Sequence, residues 1–361
     1  MDYNTQILEK IDWNILNQYI GNNLIVANKH PEYDLWILNY SPKVQSKRIW
    51  DKYTIACRGM VIDDDGNILA RPLKKFFNWE EYSEEEIPTD QPFEVFEKMD
   101  GSLIILFYYP AYKEWIVASR GSFISDQANE AKKMLNNQVF NRLNKDCTYL
   151  FEVIYPENRI VVDYGNKRDL ILLTRLETKT GIELFFDDLK SKYSKFFTVV
   201  EKINVKSLKD LINLKRSNED NREGFVLRFE NGFRIKIKFD EYIRLHGILT
   251  NVSNLTVWEY MTKGYDFNEL IDRVPDEFYE WLNKTKCKLQ NAFNENERKS
   301  LKEFVRIYHI NEITNRKEFA EEAKKFKIPS ILFSIYDKKS YDSIIWKNIR
   351  PKYSKPFQDG Y

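Results

Sequence analysis

The chain has 361 residues, with 56 Lys and Arg against 55 Asp and Glu, and a net charge of +1. That length allows a large core and two domains, the 15% aromatic content excludes a disordered chain, and the near-zero charge disfavours a protein that coats nucleic acid with its whole surface. No apolar run approaches the ~20 residues of a membrane span, Met1-Asp2-Tyr3-Asn4 lacks a secretory pattern, and Cys57, Cys147 and Cys287 are too scattered for a disulfide framework or zinc site, which points to a reducing cytoplasm.

The first 245 residues read as a β-rich α+β body. Met60–Ile62, Asp65-Gly66 and Ile68–Ala70 form a hairpin pattern. The run 80 to 97 holds eight acidic residues and no Lys or Arg, and reads as a solvated loop. Leu103–Tyr109 and Trp115–Ser119 predict a second hairpin. Ser125–Leu143 predicts one helix, with Ala128, Ala131, Leu135 and Val139 on one face. Tyr149–Tyr155 and Leu170–Leu176 are apolar runs of strand length. Phe225–Phe229, Asn231-Gly232 and Phe233–Phe239 form the clearest hairpin, and Asn-Gly suits a type I′ turn. From about residue 246 the pattern turns helical: Phe278, Leu282, Leu289 and Phe293, then Leu301, Phe304, Val305 and Tyr308, recur at helical spacing. Pro275, Thr314, Pro329 and Asp342 are placed to open helices. Two domains are expected, 1–245 and an all-helical 246–361.

The chemistry gathers around Lys98-Met99-Asp100-Gly101-Ser102. Asp-Gly between extended segments signals a tight turn, which puts Lys98 at a strand end beside backbone that Gly101 leaves uncovered. Only an unprotonated amine attacks an electrophile, and neighbouring cations favour that form. Alternation along Phe233–Phe239 puts Arg234, Lys236 and Lys238 on one strand face. Stacked like charges fit an anion opposite, either a triphosphate or a nucleic-acid backbone. Glu223-Gly224 ends a polar loop at a strand mouth, where a carboxylate can hold a hydrated metal ion. Glu152 interrupts an apolar strand, so it either faces a cleft or pairs with an Arg. Arg58-Gly59, Lys75 and Ser119-Arg120-Gly121-Ser122 add cations and open amides that suit phosphate.

Their order resembles that of the covalent nucleotidyltransferases, ATP-dependent ligases and RNA-capping enzymes. It most resembles the phage RNA ligase 1 family. The segments that carry the resemblance are Cys57-Arg58-Gly59-Met60, Arg71-Pro72 with Lys75–Asn78, Asp100–Leu103, Asn158–Val161, Phe233–Lys238 with Asp240 and Tyr242, and the terminal Asp359-Gly360-Tyr361. Arg120 departs from the lysine the family often has there. The resemblance implies an α+β adenylyltransferase domain of antiparallel sheets followed by a helical domain, whose basic residues Lys284, Lys286, Lys288, Lys347, Arg350, Lys352 and Lys355 suit diffuse contact with an RNA backbone and make it the expected RNA-selecting part. It also implies an enzyme that joins RNA 3′-hydroxyl and 5′-phosphate ends, as in tRNA repair, through lysyl-AMP on Lys98 and an RNA-adenylate. Lys236 and Lys238 would stabilise the α-phosphate. Arg58, Lys75, Glu97, Asp100, Gly101, Arg120, Glu152, Glu223, Gly224 and Val226 would bind nucleotide, with Arg58 and Lys75 on its phosphates or on the RNA end, Glu152 on the ribose, Val226 on the adenine face and Glu223 on a magnesium or manganese shell. Phe77 would hold Lys75. The implied partner is RNA with those two ends, cleaved tRNA included. The expected protein is monomeric, binds no membrane, and works in the cytoplasm, the host's if phage-encoded.

A DNA ligase or capping enzyme would share Lys98, but in those families a small β-barrel usually follows the last lysine motif, where this chain turns helical. An inactive RNA-binding relative would not need Lys98, Glu152, Glu223, Lys236 and Lys238 together.

Overall fold

A computed structural model describes residues 7–205, 207–215, 221–240, 242–243, 252–272, 274, 278–313 and 315–354. Pro275, Thr314, Lys355 and the terminal Asp-Gly-Tyr lie outside the described residues. The chain divides into two compact units, Met1–His246 and Gly247–Tyr361. No helix among the described residues is long and apolar enough to cross a membrane.

In the first unit, β1 (Ile25–Lys29), β2 (Leu35–Tyr40), β3 (Arg58–Asp63) and β4 (Ile68–Ala70) form an antiparallel sheet in sequential order. The chain then passes β5 (Phe77–Asn78) and β6 (Phe93–Lys98) and enters a second sheet through β7 (Ser102–Tyr109), β8 (Glu114–Ser119), β9 (Cys147–Ile154), β10 (Asp169–Glu177) and β11 (Thr198–Val199). Finally β12 (Lys202–Ile203), β13 (Gly224–Phe229) and β14 (Arg234–Lys238) join β5 and β6 in a third sheet, ordered β12-β6-β13-β14-β5.

The second sheet is covered on both faces. Ile105, Phe107 and Ala118 meet Leu35, Ile37 and Val61 of the first sheet. Ile104, Leu106, Tyr149 and Phe151 meet the helices Asp126–Met134 and Phe186–Tyr193. A strand buried on both faces needs apolar residues at every position, which is why Leu103–Tyr109 reads as an unbroken apolar run. The third sheet buries Val95, Phe225, Leu227, Ile235 and Ile237 on one face only. Its other face carries the polar partners of the alternation.

Several expectations need correction. Asp100-Gly101 does not close a hairpin: β6 and β7 belong to different sheets, so the link carries the chain from one to the other. The Asn231-Gly232 hairpin is not type I′, because Asn231 does not take positive φ. The Gly232 amide donates to the Phe229 carbonyl, and Gly232 alone is left-handed (φ 83°). This is the three-residue loop with a glycine bulge. The helix expected over Ser125–Leu143 breaks after Met134, where Leu135 is extended and the Asn136 side chain caps the short helix Asn137–Phe140. The acidic run is solvated only in its middle. Glu94 is on β6, ion-paired to Lys202 and Arg228.

The second unit is helical among its described residues: Asn254–Lys263, Phe267–Asp272, Tyr279–Val305, Arg316–Ala323, Pro329–Tyr336 and Asp342–Asn348. Leu282 and Leu289 are buried as their spacing predicts, but Leu301 and Val305 are exposed. The α-period ends there, and Arg306–Ile310 is a π-turn that buries Ile307 instead.

Candidate active site

Lys98 is the last residue of β6. It faces Gly224 of β13, which in turn faces Lys238 of β14. Residues opposite one another in antiparallel strands share a face, so one rung of the sheet reads lysine, glycine, lysine. Gly224 has φ +151°, and a Cβ there would lie 2.0 Å from the Ile237 carbonyl oxygen. No side chain fits there against the β14 backbone, and Glu223 stands at the gap between the lysines. Glu223 is only 4% exposed. Its Oε2 is 2.8 Å from Lys98 Nζ and its Oε1 is 3.6 Å from Lys238 Nζ. The next rung on the same face is Phe96, Val226 and Lys236, and the one after is Glu94, Arg228 and Arg234.

Gly101 lets a second wall approach. A Cβ there would meet the Val153 carbonyl at 2.5 Å and Glu152 Cγ at 3.0 Å. Glu152, on β9, thereby sits beside the Lys98 rung. Burial, the strongest influence, pushes its carboxyl up to about 7; Lys98 and Arg58 pull it down, while Glu223 and Asp100 push it further up. Glu152 therefore sits amid several charges of both signs, Lys98 and Arg58 among them. The sign of its pH effect follows. An acid whose pKa rises on folding holds its proton in the folded state between about 4.5 and 7, so stability falls as pH rises through that window. Glu152→Gln is expected to melt near the unliganded wild type at pH 5 and above it at pH 7.5. Parallel melting curves across that range would contradict the assignment.

A third group of cations comes from elsewhere. Gly59 (φ +98°) packs its backbone against Arg120, whose carbonyl a Cβ would meet at 3.2 Å, bringing the Arg58 and Arg120 segments together. Arg120 lies over Tyr40 (5.8 Å) and Arg58 over Phe76 (5.8 Å). Lys75 is buried, with Nζ 5.7 Å from the Tyr40 ring, 5.6 Å from Trp50 and 5.3 Å from Phe77.

Two candidates take different roles from those expected. The Glu97 side chain lies on the opposite face from Lys98 by strand alternation and pairs with Arg222 (3.2 Å), so its carboxylate is not at the nucleotide face. Asp100 is 4% exposed. One of its oxygens accepts from the Val161 and Val162 amides (2.9 and 2.8 Å), the other from the Tyr242 hydroxyl (2.8 Å). It therefore fastens the loop behind Lys98. Sequence reasoning missed the cage of Tyr40 and Trp50, because these rings reach Lys75 from separate segments that share no motif.

The residues suit both ligands that the chemistry requires. Cations on two walls surround the Lys98 rung, matching a triphosphate. Magnesium is commonly held by one or two carboxylates plus substrate phosphates, and Glu223 is placed to be one. The described residues contain no group of three or more His, Cys, Asp or Glu able to hold a metal by themselves.

A strand-end lysine on one sheet thus stands beside the carboxylate of Glu152 on a second. The sequence profile described as RNA ligase matches residues 56–242, just over half the chain, and the chain belongs to that family, the phage RNA ligase 1 type. It is 26% identical over 263 residues to a putative bifunctional polynucleotide kinase/RNA ligase of Autographa californica nuclear polyhedrosis virus, covering 64% of this chain and 36% of the relative. It is 23% identical over 365 residues to an RNA ligase of Rhodothermus phage RM378, covering 81% of each. It thus spans about a third of the viral protein's length. Among solved structures, an archaeal ATP-dependent RNA ligase aligns at 14% identity with a TM-score of 0.49, over 74% of this chain and 70% of that one.

Proposed function

We propose that this protein is an ATP-dependent RNA ligase that joins a 3′-hydroxyl to a 5′-phosphate through Lys98-AMP and an RNA-adenylate, in repair of broken RNA such as cleaved tRNA. The observation that carries this reading is the Lys98–Gly224–Lys238 rung with Glu223 bridging its two lysines. Lys98 Nζ attacks the α-phosphorus of ATP, the bond to the β-phosphate oxygen breaks, and pyrophosphate leaves. Glu223 Oε2 is within reach of the Nζ proton. Lys236 and Lys238 offset charge on the transferring phosphoryl, the term that dominates such reactions. A magnesium ion, when bound, would supply further charge neutralisation there. In the second step the RNA 5′-phosphate takes the AMP and the Lys98 N–P bond breaks. In the third the 3′-hydroxyl attacks and AMP leaves. The test is labelling with ATP carrying α-³²P, with GTP as control, followed by transfer to 5′-phosphorylated RNA or DNA. No denaturation-resistant ATP label, or equal transfer to DNA, would overturn the reading.

We assign RNA selection to residues 247–361. Basic residues of this unit are partly engaged: Lys284 pairs with Glu280 (2.7 Å), Lys286 lies 4.3 Å from the Phe267 ring, and Arg350 lies 5.2 Å from Trp258. Diffuse backbone contact suits such a surface better than base readout. Deleting 247–361 is expected to preserve ATP labelling and to remove the preference for a nicked stem-loop over an unstructured strand. An unchanged preference in a folded truncation would leave that unit a structural support.

A further inference from the structure

A cavity of about 1180 Å³ lies within the first unit, away from Lys98. Neither Lys98, Val226, Glu152 nor Glu223 lines it; it begins at Lys75 and runs over Arg228 and Arg234 of the third sheet. It exceeds the roughly 300–1,000 Å³ of a typical small-ligand site. One wall is a run of half-buried rings, each touching the next. Trp50 meets Phe77 at 5.1 Å, Phe77 meets Tyr82 at 5.9 Å, and Tyr82 meets Phe233 at 5.1 Å. Lys75 Nζ lies over Trp50 and Phe77, and Arg48, Arg71 and Lys74 also line the cavity. Arg71 donates to the Thr178 and Leu8 carbonyls, and Arg228 and Arg234 are matched by Glu94 and Glu183. The lining thus sets a phosphate contact at Lys75 beside apolar ring surface.

We propose that this ring-lined cavity receives the 5′-terminal nucleoside of the donor RNA, with its phosphate at Lys75 and its base against the Tyr82–Phe233 pair, stacked on one ring and met by the edge of the other. The proposal rests on the ligase reading above. In the AMP-transfer step the 5′-phosphate must come to Lys98-AMP while the Val226 surface holds the adenine. The attached nucleoside therefore needs a separate surface next to the phosphate site, and the rings beyond Lys75 provide it. Stacking is indifferent to sequence, since every base has a π-face, so an enzyme that seals varied breaks would gain affinity there without reading the base.

The test has two arms. In the first, full-length protein without ATP is titrated with 5′-phosphorylated RNA carrying 2-aminopurine as its first nucleotide. Binding is expected to quench the fluorophore. No quenching, or quenching only when 2-aminopurine is moved to the 3′ end of an acceptor strand, overturns the assignment. The second arm uses Tyr82→Leu and Phe233→Leu, which keep apolar volume and remove the ring, with Tyr82→Phe as the conservative control. Each Leu variant is expected to raise the RNA concentration for half-maximal AMP transfer about tenfold, with ATP labelling of Lys98 within about twofold of wild type and Tyr82→Phe unaffected. Unchanged half-saturation in the Leu variants sinks the proposal. If a variant misfolds, the first arm decides on the wild type. Wild-type protein that takes no ATP label contradicts the ligase reading instead, while the fluorescence arm still reads the cavity.

Discussion

Lys98→Ala is expected to reduce the denaturation-resistant label from ATP to background. Of the two lysines on its rung, Lys98 is the one on β6, the strand that runs on to Gly101, where the β9 wall comes within contact. Lys236 and Lys238 cannot replace it, because they leave from β14, two strands away across β13. Lys98→Arg separates chemistry from architecture. It keeps a cation beside Glu223, so folding and ATP binding should persist, yet guanidinium stays protonated and is no nucleophile. Removing the side chain instead leaves Glu223 with Lys238 at 3.6 Å, so any loss of stability in Lys98→Ala should be smaller than if Glu223 were stranded. The measurement is denaturation-resistant label after gel separation, alongside equilibrium ATP binding and a thermal melt. Label on either variant would move the nucleophile elsewhere.

How far the sequence reached can be seen in particular residues. Period-two alternation placed Arg234, Lys236 and Lys238 on one face, and the register confirms that face as the one carrying Lys98. The same rule, applied one residue earlier to Glu97, turns its carboxylate away from that face; only the family resemblance puts it among the nucleotide ligands. The β7 run was legible as a strand because burial on both faces leaves no polar positions. What pairs with what was not legible. Asp-Gly looks the same whether it closes a hairpin or links two sheets, because the local backbone chemistry is shared and only distant partners decide. Asp100 shows the same limit. Its carboxylate is held by Val161, Val162 and Tyr242, residues 61 to 142 positions away, so no local spacing reveals that it is a fastener. The tail was readable where caps and period agree, as at Pro329–Tyr336. It failed at Leu301 and Val305, which are helical but exposed, and a π-turn follows that buries Ile307 instead.

Substituting the three β14 cations one at a time should give a graded series that a merely wet basic strand would not. Lys238 shares the rung of Lys98 and approaches Glu223 at 3.6 Å, so Lys238→Ala removes charge where phosphoryl charge grows. A loss of about 10²–10³ in the rate of ATP labelling is expected, the scale seen when one preorganised donor is removed. Lys236 is two residues along, about 7 Å at the usual strand rise, still within the about 10 Å screening length at 0.1 M salt. A loss of about 10²-fold is expected for Lys236→Ala. Arg234 lies about 13 Å from Lys238, beyond that length, and its guanidinium is already bound to Glu183. Burial pushes the Glu183 carboxyl up, but Arg234 and Arg228 beside it hold it below the usual carboxylate range. Arg234→Ala should therefore leave labelling within about tenfold and act on stability, lowering it by about 1–3 kcal/mol, with Arg228, 3.1 Å from Glu183, limiting the damage. Single-turnover labelling rates and urea melts of the three variants separate the two effects. Equal, mild rate losses at all three positions would return β14 to an ordinary solvated strand.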